Sequence, residues 1–258
     1  GKLTPVAELQ PVLVSGTTVR RATLHNESFI NEKRIGLGDR VLIQKAGEII
    51  PEVIRVVAKP DGNDAAPFSM HDFLKGVCPV CSGPIERRET VSGSKSDQRI
   101  IVTHFCVNFE CPAQVASRMR QFVSRKALDI EGIGSIVAEK LVERGLIQSP
   151  LDLFEIPEAT LGVLNLGTDD SPRMLGDKNA AKIVQTRERA AREMPLSRWL
   201  FAMGISQVGE SAARELSRLH RNFREIAGSS LLAELRTLKT DDRKEANPIL
   251  APYEIASE

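Results

Sequence analysis

Aromatic residues make up only 4% of this 258-residue chain, with one tryptophan and one tyrosine. No apolar run approaches the ~20 residues that a membrane-spanning helix needs. No charge of one sign dominates either, since 35 Lys and Arg face 34 Asp and Glu, a formal net charge of +1. That balance argues against a polybasic tail. It does not exclude nucleic acid, because backbone N–H groups and a few placed cations suffice to hold phosphates. No secretory leader is visible, and the chain opens on Gly1, read here as a processed or cut start. Cysteine is limited to four residues, all between positions 78 and 111. What remains, 41% hydrophobic and 27% charged, is the composition of folded protein in one to three compact units.

The cysteines form two close pairs, Cys78-x2-Cys81 and Cys106-x4-Cys111, with 24 residues between them. Two pairs joined by a loop suit a tetrahedral ion held through thiolates, each pair presenting two sulfurs from one tight turn. A redox dithiol accounts for the first pair only, and structural disulfides are rare in the reducing compartment that a leaderless chain implies. Four thiolates close the coordination shell, so the expected ion is one structural Zn2+. His104 is then a bystander on the ribbon. Between the pairs, two strand-like runs flank "SGSKSD", a small zinc-bound hairpin. "CPAQ" leads out into a helix through "AQVASRMRQFVS", with Pro112 in its first turn.

Residues 1–58 read as short strands. "PVLVSGTTV" and "RVLIQKAGEIIPEVIRVV" each give two strands around a turn, Val41 and Ile43 facing one way, Leu42 and Gln44 the other. Asn26 caps an expected helix over 27–33, which Gly36 and Gly38 end. This pattern fits a small Greek-key barrel of the OB type, and an SH3-like barrel would read similarly. Arg20, Arg21, His25 and Asn26 crowd one strand end, and Lys45 sits at a hairpin tip. They are either donors for phosphates and minor-groove edges or a solvated strand end with a capping Asn. "KPDG" at 59–62 matches the K-x-D-G pattern of lysine nucleophiles that become adenylylated. Here it reads as a linker turn, without the α/β surroundings of a nucleotide pocket.

After residue 112 the chain is helical and repeats a theme. Gly132-Ile133-Gly134 lies between two helical stretches, the second opening at Ser135 with Val137, Leu141 and Val142 on its apolar face. Gly-apolar-Gly at such a corner is the pattern of a helix–hairpin–helix. The glycines let a ligand approach, and the following helix start offers N–H groups and a positive dipole end to a DNA phosphate. A second copy runs through Gly204, Ile205, Val208 and Gly209, with Gln207 where the first has Gly132. A third and looser copy begins at Leu164 and Gly167 and resumes at Gly176 after "TDDSPRML". Either its turn is lengthened or it no longer touches phosphate. The alternative for all three is plain helical packing through glycine turns. The segment from 222 on reads as an incomplete unit.

The order of these parts, with the words "LTPVAELQPV", "VRRATLHNE", "GDRVLIQKAGEIIPEV", "CPVC", "CPAQ", "FVSRKALDIEGIG" and "LFAMGISQVGE", resembles the C-terminal half of bacterial NAD-dependent DNA ligases over about residues 1–222. The resemblance implies a multidomain α and β chain: an OB-type barrel over 1–72, a four-cysteine zinc hairpin over 73–114 and an all-α helix–hairpin–helix domain over 115–258. It implies sealing of single-strand nicks in duplex DNA, in replication and repair. NAD adenylylates a lysine, AMP passes to the 5′-phosphate, and the 3′-hydroxyl displaces AMP. The lysine belongs to a nucleotidyltransferase domain not in this chain, nor is a BRCT domain, so NAD and Mg2+ serve the parent enzyme and the chain alone is expected to be inactive. By resemblance Arg21, His25, Asn26 and Lys45 face the nick, the zinc orients barrel against helices, and the corners at Gly132, Gly134, Ser135, Gly204 and Gly209 grip the backbone. These parts together would encircle the duplex. Expected partners are nicked duplex DNA and the nucleotidyltransferase domain of the same polypeptide, with no membrane, as a monomer in the bacterial cytoplasm at the nucleoid. The competing expectation is a stand-alone, non-enzymatic zinc adaptor that binds DNA through the same corners.

Overall fold

The computed structural model describes residues 1–14, 16–47, 50–60, 67–93 and 98–237. The Asp61-Gly62 part of "KPDG", the tip of the "SGSKSD" turn and the polar tail lie outside them. The chain divides into two units, Gly1–Gln114 and the residues from Val115 onward. Among the described residues no helix is long and apolar enough to cross a membrane.

The first unit carries two sheets. Strands β2 (Val6–Val14), β3 (Thr17–Thr23), β4 (Arg40–Ala46) and β5 (Ile50–Ala58) form one, in the order β2-β3-β5-β4. Its neighbours are antiparallel except β3 and β5, which meet in parallel at Thr23 and Glu52. Alternation decides which face is covered. Val41 and Ile43 pack on the core of Ala22, Leu24, Ile30 and Val53, whereas Leu42 is 45% exposed. Helix α1 (Glu27–Lys33) starts where Asn26 Oδ1 accepts the Phe29 N–H at 2.9 Å. It stops at Arg34, which takes the left-handed conformation (φ 52) ahead of the two glycines expected to end it. A single-turn helix, α2 (Met70–Phe73), follows, capped by Ser69.

The second sheet is a ribbon of β6 (Ile85–Ser92) and β7 (Arg99–Cys106), with the two-residue strand β1 (Lys2–Leu3) on the outer side of β7. The first strand of the chain therefore pairs with the cysteine ribbon rather than with the sheet that follows it in sequence. Polar contacts join α1 to this ribbon. Ser28 Oγ donates to the Ile100 carbonyl at 3.1 Å and accepts the Val102 N–H at 2.9 Å. The buried Glu27 carboxylate accepts the Met70 N–H at 2.7 Å.

Helix α3 (Pro112–Val123) leads into the helical unit. There follow α4 (Ser135–Glu143), a 3-10 turn (Pro150–Phe154), α5 (Glu158–Gly162), α6 (Asp177–Glu193), α7 (Leu196–Ala202), α8 (Glu210–Leu219), α9 (Phe223–Ala227) and α10 (Ser230–Thr237). The buried faces of these short helices converge on Met119, Phe122, Leu128, Leu141, Leu153, Leu161 and Ile183. Phe122 meets Phe154 and Trp199 edge-on, ring centroids 6.2 and 6.0 Å away. A cation also lies inside: the Arg187 guanidinium donates to the carbonyls of Leu153 and Ile156, and burial lowers its pKa.

Candidate metal centre and nucleic-acid interface

The two cysteine pairs converge. Cys78 and Cys81 share a tight turn closed by Ser82 N–H to Cys78 O (2.9 Å) and Cys78 N–H to Gly83 O (2.8 Å). Cys106 ends β7, and Cys111 donates its N–H to Asn108 O at 3.1 Å. Gln114 Nε2 ties this second turn together, donating to Cys106 O (3.0 Å) and Asn108 O (2.7 Å). Gly83 is where the turns meet. A Cβ there would lie 3.1 Å from Asn108 Cβ and 3.3 Å from Cys81 Sγ.

All four sulfurs lie within 4.8 Å of one another, Cys81 and Cys106 at 3.6 Å, and none is in a disulfide. Zinc–thiolate bonds of about 2.3 Å in a tetrahedron put sulfurs about 3.8 Å apart, so the donor set and its spacing are compatible with zinc. The thiols differ without the ion. The Gly83 N–H, aided by Asn108, lowers the Cys81 pKa to about 6. Burial raises Cys106 to about 11 and raises Cys111. His104 is not one of the clustered donors. It is fully buried, with Nε2 3.7 Å from the Glu27 carboxylate, and desolvation lowers its pKa.

On the β2-β3-β5-β4 sheet, Thr17, Thr18, Val19, Arg20, Arg21, Lys45 and Pro51 line an open depression of about 570 Å³. Lys45 Nζ donates to Thr17 Oγ1, and Arg21 makes an exposed pairing with Glu8 at 3.9 Å. Three of the five residues singled out in the sequence thus share one basic depression. The other two lie outside its lining. Asn26 spends its side-chain oxygen on the α1 cap, and His25, left-handed at φ 55, sits 3.3 Å from Glu52 with its ring edge-on to Phe29. Thr17, which orients Lys45, was not read from the sequence; a hydroxyl in a Thr-rich strand carries no local mark of that role.

In the helical unit the first two glycine turns share one backbone pattern. Asp129 (φ 52) and Gly132 (φ 91) are left-handed five and two residues before Gly134, the N-cap of α4. Gly204 (φ 62) and Gln207 (φ 67) hold the same two positions before Gly209, the N-cap of α8. Neither N-cap has a side-chain cap, both are exposed, and no atom lies within 4 Å of where a Cβ would stand. The helix starts therefore face open space with N–H groups outward.

Their charges differ. Ser135 opens α4, its hydroxyl accepting from Arg120 Nη1 at 3.3 Å. Glu210 opens α8, and Arg214 and Lys126 hold its carboxyl below the usual range. The first helix start thus carries a neutral hydroxyl where the second carries a carboxylate. An exposed Lys126–Glu210 pair, at 3.5 Å, links the segment before the first turn to the start of α8. The third turn departs from the pattern. Gly176, the N-cap of α6, is itself left-handed (φ 84), whereas Ser171 and Met174, five and two residues earlier, are not. Residues 165–174 form a small closed hairpin, with Leu166 N–H on Arg173 O at 2.7 Å and Asn165 Oδ1 accepting from Gly167 and Arg173.

Residues 1–65 match the family described as the NAD-dependent DNA ligase OB-fold domain. The chain belongs with the NAD-dependent DNA ligases. It is 47% identical to a DNA ligase of Akkermansia muciniphila over 91% of its own length and 28% of that protein. It is 40% identical to DNA ligase 1 of Deinococcus deserti over 90% of its length and 32% of the relative, and 40% identical to a DNA ligase of Symbiobacterium thermophilum over 84% and 29%. The chain therefore spans about three tenths of the length of the ligases it matches, and its matches to them run well past the OB-fold domain into the cysteine ribbon and the helical unit.

Proposed function

We propose that this chain is the DNA-gripping part of an NAD-dependent ligase that seals nicks in duplex DNA. The observation that carries the reading is the shared backbone of the turns at 129–134 and 204–209, with exposed, uncapped N-cap glycines. They act as helix–hairpin–helix corners: the free N–H groups at the starts of α4 and α8 bind DNA phosphates, assisted at the first corner by Arg120 and Ser135. On the OB sheet Arg20, Arg21 and Lys45 form a second phosphate-facing surface, with His25 and Asn26 at its border. Cys78, Cys81, Cys106 and Cys111 hold one structural Zn2+, which locks the ribbon. When bound, that ion supplies fold rather than chemistry, because four thiolates leave no position for water or substrate.

The ligation chemistry, with NAD and Mg2+, belongs to a nucleotidyltransferase domain that would act on DNA held by these residues. The expected setting is the bacterial cytoplasm, in replication and repair, with the chain acting as a monomer. The test measures binding of the 258-residue chain to nicked duplex as salt is raised. Four cations (Arg20, Arg21, Lys45, Arg120) on phosphates give a log–log slope of about −3.6. Affinity then falls roughly 150-fold from about 50 to about 200 mM salt. A flat response would sink the reading. Covalent AMP on this chain after incubation with labelled NAD would overturn its assignment as the non-catalytic part.

A further inference from the structure

Helix α6 leads out of the third turn, yet one of its faces is occupied by the first. Thr186 is buried, its hydroxyl accepting the Glu131 N–H at 3.2 Å and donating to the Lys182 carbonyl at 2.8 Å. Arg189 Nη2 donates to the Asp129 carbonyl at 3.0 Å and reaches its carboxylate at 3.3 Å. Lys182 Nζ stands 2.6 Å from Glu131 Oε2. Ile183 fills the space beneath Gly132, where a Cβ would come within 2.8 Å of its Cγ1. Residues 182, 183, 186 and 189 follow the spacing of one helical face. Asp129 and Glu131 are thus held by hydrogen bonds and ion pairs from α6, with Ile183 packed beneath Gly132, and Asp129 is itself in the left-handed conformation that a non-glycine residue seldom takes.

The third turn itself offers little to a phosphate. Its closed hairpin carries exposed Asp169 and Asp170, and α6 opens with Asp177. We propose that the third copy is a brace rather than a grip. Thr186 and Arg189 are positioning residues that keep the first corner in its phosphate-accepting shape, and the lengthened turn stays off the DNA. The proposal rests on reading the first corner as a phosphate contact.

The experiment compares wild type with Thr186→Val, which replaces the hydroxyl at nearly constant volume, Thr186→Ser, which restores it, and Arg173→Ala in the third turn. Amide exchange over 131–137 without DNA is expected to rise at least tenfold in T186V and to return to wild type in T186S. Affinity of T186V for nicked duplex is expected to fall about tenfold, with a salt slope shallower by about one phosphate, while R173A keeps both. Unchanged exchange in T186V overturns the brace. So does a T186V that melts earlier but, well below its melting temperature, binds DNA with wild-type affinity and slope. A shallower slope in R173A overturns the claim that the third turn stays off DNA. If exchange responds as expected but no variant, wild type included, binds DNA, the brace stands and the phosphate reading of the first corner falls.

Discussion

Gly132 and Gly134 lie two residues apart in one corner, and alanine at each should produce opposite phenotypes. At Gly132 the backbone is left-handed (φ 91) and an added Cβ would sit 2.8 Å from Cγ1 of Ile183, which is fully buried and cannot swing away. The conformational term is ~1–2 kcal/mol and the overpacking term ~1–3 kcal/mol. Gly132→Ala should therefore destabilise the helical unit by roughly 2–5 kcal/mol, or about 6–15 °C in melting temperature at ~3 °C per kcal/mol. At Gly134 the backbone is ordinary (φ −88) and a Cβ meets nothing within 4 Å. Gly134→Ala should change stability by less than about 1 kcal/mol, as expected of an uncapped N-cap. On the proposed reading its methyl would stand where a phosphate approaches the start of α4. Loss of one hydrogen bond to a charged group, about 1.5–3 kcal/mol, weakens nicked-duplex binding by roughly 10- to 100-fold. Thermal melts read the first effect, and fluorescence anisotropy at fixed salt reads the second. Wild-type affinity in a folded G134A variant, or wild-type stability in G132A, refutes the assignment of one glycine to packing and the other to DNA.

Two further outcomes can be checked directly. Zinc binding at about pH 7.5 should release fewer than four protons per chain, because Cys81, lowered to about 6, is already a thiolate while Cys106, raised to about 11, must give up its proton. Titration calorimetry in buffers of different ionisation enthalpy counts them, and the count should rise towards four as pH falls below about 6. Arg187→Met strands the carbonyls of Leu153 and Ile156 inside the helical unit. It should lower the urea midpoint by the equivalent of about 1–3 kcal/mol, the part of the cost not offset by removing a buried charge.

Local chemistry was legible in the sequence, and long-range pairing was not. The x2 and x4 cysteine spacings, the Asn26 cap on a helix over 27–33 and the in–out order of residues 41–44 are each decided within a few residues. The equivalence of Gln207 with Gly132 was also legible, because a turn needs its left-handed residue at a fixed offset. The role of Lys2–Leu3 was not: two residues carry no period, and their partner β7 lies about a hundred positions away. The bounds of α1 were legible but its terminator was not, because glycine is the usual left-handed terminator. Here Arg34 takes that conformation, its N–H reaching the Asn31 and Ile30 carbonyls. The polar stripe Lys182–Thr186–Arg189 gave no signal either, since exposed helices carry such residues routinely. Only the position of the first corner gives it a meaning.

The cysteine ribbon has a much smaller apolar core than the helical unit, so a bound metal would matter most there. The apolar cluster around the sulfurs consists of Ile85 with Leu3 and Leu74 beside the four cysteines, while Val91 and Ile100 of the same strands are 66% and 59% exposed. Burying three aliphatic side chains contributes on the order of 5–9 kcal/mol, which the entropy of ordering the two turns and the ribbon exceeds. A structural zinc contributes about 10–16 kcal/mol, enough to reverse that sign. Strong chelation should therefore open residues 76–111 to proteolysis while the helical unit, with its own core of Phe122, Leu141 and Ile183, keeps its melting transition. Limited trypsin digestion with and without chelator, read by mass spectrometry, separates the cases. Arg87 and Arg88 of β6 are the expected new cleavage sites. An unchanged digest would mean that the ribbon is held by its contacts to α1 through Glu27 and Ser28, with the thiolates contributing little.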